Sequence, residues 1–559
     1  MTSGQSRRGR AKRRAPRRVP HNRPTVASLA LAAHTVIESY LHPHAEAGKI
    51  WRHLPLVLAL AFLARATVAL SGDFTLHPDE IFQYLEPAHR LVFGNGVTYW
   101  EYFYGARAWF VPGLVAGVLK LFDLVGLGEP HWYVGGVELV FCAVSLTIPA
   151  GMYFATRSHF GETAARVALL AGAFWYELCG FAHKPMTEFV ATGLLLLTLW
   201  IATRPGRIGL AAGLCGVLLT LLAAAIRLQY APVAVVLFAI VLLRSKPRSA
   251  LLLAAGALVL AVGAFDAATW DAGLFHSYVT NIRFNLAIDP LRAGESPAWQ
   301  YVAWLVTAHG GLSVLCVIAA AFAPRRYALL LALVALIVGI HSLQAHKEYR
   351  FVFAAVPLLM MIGADLAVRL HRRGGWGHAG AFAAGAAFAC VSAAGILNAL
   401  PNQESVYRAW SKETGHVVFL GTRAGQDPIF AAYRYLADAP RVGAVWQADR
   451  PYYNTPGYYH LHRDIPLYDL HTGQRFVRML PAAMVTHIVT TDTDAHFPDF
   501  SEERRFGTVR VLGARADTPV PRWRQHVPVL VSTGQFNLLR KTDPHTPFRP
   551  VDSGIQFEP

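Results

Sequence analysis

Eleven apolar runs, each long enough or nearly so to cross a hydrocarbon layer about 30 Å thick, fill most of residues 53–399. They fall at about 53–71, 133–156, 164–182, 186–203, 208–226, 229–243, 249–267, 301–322, 327–345, 351–370 and 377–399. Inside lipid only helices and closed barrels satisfy their own backbone, and runs of this length are helices. The expectation is a polytopic α-helical membrane protein. With 54% hydrophobic and 15% charged residues, the chain is too apolar for an ordinary soluble protein.

A twelfth apolar stretch, Ala108 to Leu127, is long enough to raise the count. The basic loops argue against it. With a cytoplasmic amino terminus and eleven spans, Arg157/Arg166, Arg204/Arg207, Arg244/Lys246/Arg248, Arg325/Arg326 and Arg369/Arg372/Arg373 all fall on the cytoplasmic side. A crossing at 108–127 would turn each of them outward, so this stretch is expected to lie along or dip into the outer interface. Residues 72–132 then form a structured cap on the non-cytoplasmic side. The formal net charge of +16 sits largely in the opening RRGRAKRRAPRR and in these loops, which is a topology signal and excludes a nucleic-acid surface.

Three regions follow. Residues 1–50 read as a basic, disordered cytoplasmic tail with an approach helix, with no signal-peptide pattern. Residues 51–400 form the membrane domain, and residues 401–559, where stretches such as HVVFL, VGAVW and THIVTT alternate, form a mixed α/β soluble domain on the outer side. The five cysteines lie in apolar runs without CxxC spacing, so neither a disulfide framework nor a zinc site is signalled.

The topology gathers six polar stretches on one membrane face: LHPDEIFQYLE, TYWEYFYGAR, AHKPMTEF, AIRLQY, NIRFNLAIDP and QAHKEYRF. Charges at the ends of apolar helices are costly unless they meet water, a partner or a ligand. Any one alone reads equally well as a snorkelling end or a cap; six together point to a polar cavity. In the first stretch Pro78 suits a first helical turn, where Asp79 and Glu80 complement the helix dipole. Alternatively, one of these carboxylates is a general base for an incoming hydroxyl. In the last stretch His346, Lys347 and Arg350 can clamp an anion, with Glu348 a competing partner.

HPDEIFQYLEPAHRLVFGNGVTYWEY resembles the first outer loop of the family-22 glycosyltransferases, polytopic mannosyltransferases that include the GPI-anchor third-mannose and N-glycan-precursor enzymes. HKEYRF is similar to their HKE-x-RF signature, and NIRFNL with ESPAWQYVAWL to their FN segment and the aromatic stretch after it. The likeness runs over roughly residues 54–370. It implies a GT-C fold and an inverting transfer of mannose from a polyprenyl- or dolichyl-phosphate mannose to a lipid-linked or membrane-anchored glycan acceptor. Asp79 matches the position of the base and Glu80 its neighbour, while Trp100 and Glu101 match a Trp-Glu pair. Arg227 stands where the family has Arg-Pro-Thr but is followed by Leu228-Gln229, and AHKPMTEFVAT keeps only a basic residue, Lys184, of an Arg-Thr-Leu-Ser-Asn-like stretch. Asn285, from the FN segment, joins His346, Lys347, Arg350, Arg227, Trp100 and Glu101 as a substrate-binding residue that the resemblance implies. The tail stretch YYNTPGYYHLHRDIPLYDL is faintly similar to one in the GPI branch, too faintly to assign the acceptor.

The chemistry needs a growing phosphate charge stabilised and a hydroxyl deprotonated on the sugar's opposite face. Cations near His346, Lys347 and Arg350 suit the first task and Asp79 the second. No cofactor and no required metal are expected, because side-chain cations can meet a single phosphate, although Asp79, Glu80 and Glu101 are oxygen donors of the kind that hold one. A lipid or glycan transporter is the competing reading, against which stand the lack of internal repeat halves and of paired Gly/Pro-broken spans. Arginine far outnumbers lysine and no Asn-x-Ser/Thr sequon occurs, which favours a bacterial inner membrane with a periplasmic site over the endoplasmic reticulum.

Overall fold

A computed structural model describes residues 50–73, 77–287, 296–309, 312–396, 427–450, 455–468, 485–515, 523–525 and 556–557. The basic amino-terminal tail, the HVVFL stretch and the end of NIRFNLAIDP lie outside the described residues.

The first helix, α1 (Ile50–Leu70), has 21 residues, which at about 1.5 Å per residue is enough for a hydrocarbon layer. Its one charge inside the apolar stretch, Arg65, is fully buried. The guanidinium donates to the Ser145 hydroxyl at 3.1 Å and to the carbonyls of Ala173 and Gly172 at 2.6 and 2.9 Å. Those carbonyls end α6 and have no partner within their own helix, so Arg65 ties α1 to that helix end.

The outer loop follows. A six-residue π-helical turn, Glu80–Leu85, runs into α2 (Glu86–Phe93), and α3 (Phe110–Leu124) packs Val111, Val115, Ala116 and Leu119 inward. Its 15 residues rise about 22 Å, short of a crossing, while Leu114, Leu121 and Leu124 face outward. That two-faced surface suits a helix lying in an interface.

The expected run 133–156 appears as two nearly continuous helices, α4 (Pro130–Ser145) and α5 (Thr147–Phe160). The run 164–182 does not finish as one helix. α6 (Glu162–Phe174) stops at Trp175, whose ψ is 131°, and a short helical turn at Tyr176–Gly180 follows. Glu177 there accepts the Trp175 indole N–H at 2.7 Å.

Then come α7 (Thr187–Thr203), α8 (Leu210–Ile226), α9 (Ala231–Arg244), α10 (Arg248–Trp270) and α11 (His276–Ala287). α5 and α7 sit very close together. A Cβ on Gly193 would lie 2.0 Å from the Thr147 hydroxyl, and one on Gly151 2.7 Å from Leu196 Cβ, so the contact needs glycine on both helices. The run 301–322 is also broken, into Gln300–Ala308 and Leu312–Ala321. α12 (Pro324–Ser342), α13 (Ala355–Arg372) and α14 (Gly375–Ile396) complete the helical part.

By length and composition, five helices among the described residues can cross a membrane, and three shorter apolar ones lie at 187–203, 210–226 and 228–244.

The tail builds α15 (Pro428–Asp438), α16 (Gly457–Leu461) and a five-stranded sheet of β1 (Val445–Gln447), β2 (Leu467–Tyr468), β3 (His487–Thr490), β4 (Phe500–Phe506) and β5 (Val509–Ala514). The order is β2-β1-β3-β5-β4, with β1 parallel to β2 and β3 and the other pairs antiparallel. This unit does not stand apart from the outer loop. Ile81, Phe82, Leu85, Val115 and Tyr133 share one apolar core with Ile429, Phe430, Tyr433, Tyr458 and Tyr459.

The docking contact is polar at its centre. Glu86, fully buried, accepts the Tyr459 N–H on one carboxylate oxygen at 2.6 Å and the Val97 N–H on the other at 2.5 Å. Gly457 lies against it with φ +67°, where a Cβ would come within 2.3 Å of the same oxygen as the Tyr459 N–H.

Candidate functional site

The buried π-helical turn places Asp79 and Glu80 at its entry, facing two different partners. Asp79 accepts a hydrogen bond from the Arg350 guanidinium at 2.6 Å. Glu80 accepts one from the Lys184 ammonium at 2.8 Å, with Glu138 a further neighbour of that lysine at 3.9 Å. Adjacent carboxylates in sequence thus belong to separate ion pairs.

Arg350 is the centre of the larger group. It stands on the turn between α12 and α13, buried, and besides Asp79 it pairs with Glu348 and lies 3.2 Å from the Glu188 carboxylate. The same Glu188 oxygen is 3.2 Å from Arg227, so one carboxylate bridges two guanidiniums. Neither contact is aligned as a hydrogen bond, and N–H groups of both arginines have no hydrogen-bond partner among the described residues. Phe351 lies under both, with its ring centre 5.1 Å from Arg227 and 5.4 Å from Arg350. Buried guanidinium donors of this kind are what an incoming anion would satisfy.

The electrostatics follow from these contacts. Burial pushes the Asp79 carboxyl up, but the Arg350 guanidinium, helped by His77, more than reverses it and holds the group well below the usual carboxylate range. Glu348 is depressed in the same way by Arg350 and His77 against burial. Burial works against the charged form of Arg350, yet Glu348, Asp79 and Glu188 raise it well above its ordinary value. His77 sits between the two depressed carboxylates, 3.5 Å from Asp79 and 3.4 Å from Glu348. His346 meets Glu348 from the other side at 3.0 Å.

Glu101 forms a neighbouring unit. It is buried, pairs with Arg107 and accepts from the Gln83 amide at 3.2 Å. Burial drives its carboxyl up to about 7, only partly countered by Arg107, with Asp79 adding to the rise.

Of the residues singled out from sequence, Asp79, Arg350, Arg227 and His346 come together here, while Glu80 belongs to the separate pair with Lys184. Lys347 does not join them: its ammonium donates to the backbone carbonyls of Ser296, at 3.1 Å, and Gln344, and so holds the turn. Asn285 is exposed on α11 and its amide donates to Asn281 of its own helix at 2.8 and 3.1 Å. Trp100 opens a four-residue helix, and its side chain lies outside the described residues. Sequence reasoning misses Glu188. The available signal is an acidic residue at the mouth of an apolar run, but AHKPMTEF draws attention to its lysine. Among the described residues no group of three or more His, Cys, Asp or Glu side chains could hold a metal; Asp79, Glu80 and Glu101 each face a different cation.

Comparison with known proteins supplies the remaining finding. Residues 56–422 match the model of the Alg9-like mannosyltransferase family. A GPI mannosyltransferase 3 from Yarrowia lipolytica is 26% identical over 446 residues, covering 75% of this chain and 77% of that one. The human GPI alpha-1,2-mannosyltransferase 3 is 24% identical over 299 residues, covering 51% and 52%. Among solved structures, ArnT from Cupriavidus metallidurans in the apo state superposes with a TM-score of 0.49 at 14% identity, over 85% of this chain and all of that one (100%).

Proposed function

This chain belongs to the Alg9-like mannosyltransferase family, and from that premise we propose that it moves mannose, with inversion, from a polyprenyl- or dolichyl-phosphate mannose to a hydroxyl of a lipid-linked or membrane-anchored glycan. It is an integral membrane mannosyltransferase; the donor, the acceptor, the GT-C arrangement of about eleven spans and the outer-face site belong to the proposal. The observation that carries it is the position of Arg350, which touches Asp79 while its neighbour Arg227 keeps donors directed at the same buried place.

The chemistry runs from that contact. A lipid phosphate entering at Arg227 and Arg350 satisfies their N–H groups and neutralises charge that now acts on Asp79. As Arg350 turns to the phosphate, Asp79 loses the cation that depresses its basicity and becomes a better acceptor for the proton of an attacking hydroxyl. Donor binding and base activation are coupled through one guanidinium. Glu348, itself met by His346, holds that guanidinium at its Nε, and Lys347 fixes the turn that carries these three residues.

The GPI mannosyltransferase relatives make a mannosylated GPI-type glycolipid the first acceptor to try and an α-1,2 linkage the first product to look for. The site is assigned to the non-cytoplasmic face, periplasmic if the membrane is bacterial, as the arginine-rich and sequon-free composition favours, and lumenal if it is the endoplasmic reticulum. The test is direct. Purified protein in detergent, given lipid-phosphate mannose and candidate glycolipids, should release lipid phosphate and yield a product one hexose heavier. Donor translocated across vesicles but left intact would favour the transporter reading instead.

A further inference from the structure

His77 takes no part in the coupling between donor and base, yet it lies between two ionised carboxylates of the site. Its Nδ1 accepts the backbone N–H of Asp79 at 3.2 Å, which makes that nitrogen the one with the lone pair. The Nε2 then carries the hydrogen and stands 3.4 Å from Glu348. The lone pair is also 3.5 Å from the Asp79 carboxylate, and the imidazole is 20% exposed. The charged groups around it are Asp79 from its own turn and Glu348 from the α12–α13 turn, with Arg350 joined to both and His346 beyond Glu348.

Resting on the reading of Asp79 as the base, we propose that His77 is a positioning residue behind it, taking from Asp79 the proton that Asp79 removes from the acceptor hydroxyl. The hydroxyl O–H bond breaks, and its oxygen forms the new bond to the anomeric carbon. The anomeric bond to the phosphate oxygen breaks, with its electron pair going to the phosphate. The proton passes to Asp79 and then to His77 Nδ1, whose lone pair leaves the Asp79 backbone N–H to take it, so that Asp79 ends ionised and the imidazolium lies between two carboxylates until water takes the proton. The physical need is to reset the site: Arg350 can return to Asp79, which it meets at 2.6 Å at rest, only when that carboxylate has given up its proton, and the His77 imidazole is the nitrogen acceptor facing it at 3.5 Å.

The test uses the full chain in detergent, with His77→Gln and His77→Gly measured beside Asp79→Asn. His77→Gln should lower kcat for mannosyl transfer about tenfold or more, in the direction of lost acid–base help, with the donor KM unchanged. Imidazole added to His77→Gly should restore turnover, a rescue that a merely structural role would not show. Wild-type kcat in His77→Gln, or no rescue of a His77→Gly variant that binds donor normally, overturns the inference. If Asp79→Asn is nearly inactive while the His77 variants behave as wild type, only this step falls. Near-normal turnover of Asp79→Asn removes the base reading and this step with it.

Discussion

Arg350 donates to Asp79 at 2.6 Å across 271 positions of sequence, joining the outer loop to the turn between α12 and α13. The two halves of the proposed reaction, phosphate departure and hydroxyl deprotonation, therefore meet at one guanidinium. Most of what can be tested follows from that pairing.

Replacing Arg350 with alanine should damage donor use severely. A charge-assisted hydrogen bond contributes roughly 1.5–3 kcal/mol, so donor KM should rise about 10- to 150-fold for each such bond to the phosphate that is removed. Lys347→Ala should leave donor KM close to wild type and lower thermal stability instead, because its partners are backbone carbonyls. Initial rates against donor concentration, with melting curves of the same preparations, separate the two; a large KM effect for Lys347→Ala would return that lysine to the phosphate site.

Asp79→Asn and Glu80→Gln should fail in different ways. The first should fold, bind donor and transfer about 10²- to 10⁴-fold more slowly, the cost of losing a general base. The second removes the charge that Lys184 meets at 2.8 Å and leaves Glu138, 3.9 Å away, as its remaining carboxylate among the contacts described; breaking a buried ion pair from one side costs about 3–5 kcal/mol, so stability should fall more than turnover per folded molecule. A stable Glu80→Gln with the deeper kinetic defect would move the base to Glu80.

Glu101 predicts a pH dependence of stability. Its carboxyl is raised to about 7 in the folded protein, above its unfolded value of about 4.3. The folded state therefore binds this proton more tightly, and the stability linked to it is full below pH about 4.3 and lost as pH rises through about 7. Glu101→Gln cannot titrate and should lose less stability between pH 5.5 and 8 than the wild type. Parallel melting curves for the two proteins across that range would exclude this.

The tail's grip on the outer loop should depend on Gly457. Alanine there meets both an unfavourable φ of +67° and the Glu86 carboxylate. Gly457→Ala should lower stability and expose the tail to limited proteolysis. Glu86→Gln should act in the same direction, since its amide nitrogen would face one of the two N–H groups that Glu86 accepts. Wild-type protease resistance in both variants would mean that the shared apolar core alone holds the tail.

Much of this protein is determined locally and is readable from its residues alone. Runs of apolar residues dictate helices because the backbone in lipid has no other partner, and the described helices lie largely within those runs, although the runs 164–182 and 301–322 are each broken into two. The polar stretches at their ends, HPDE and HKEYRF among them, single out Asp79 with Glu80, and His346 and Lys347 with Arg350, as candidates because charge beside a membrane is costly unless it meets water, a partner or a ligand. Breaks at Trp175 and near His309 are not visible there, since an apolar run looks the same whether its helix continues or turns to let Glu177 reach Trp175 and His309. The tertiary structure alone decided which charge meets which. Glu188 bridges two arginines because α7 begins beside both, Lys347 turns to carbonyls while Arg350 three residues on turns to carboxylates, and Asn285 remains on its own helix. Pairing energy depends on distances of a few ångströms between groups far apart in the chain, and no one-dimensional pattern contains those distances.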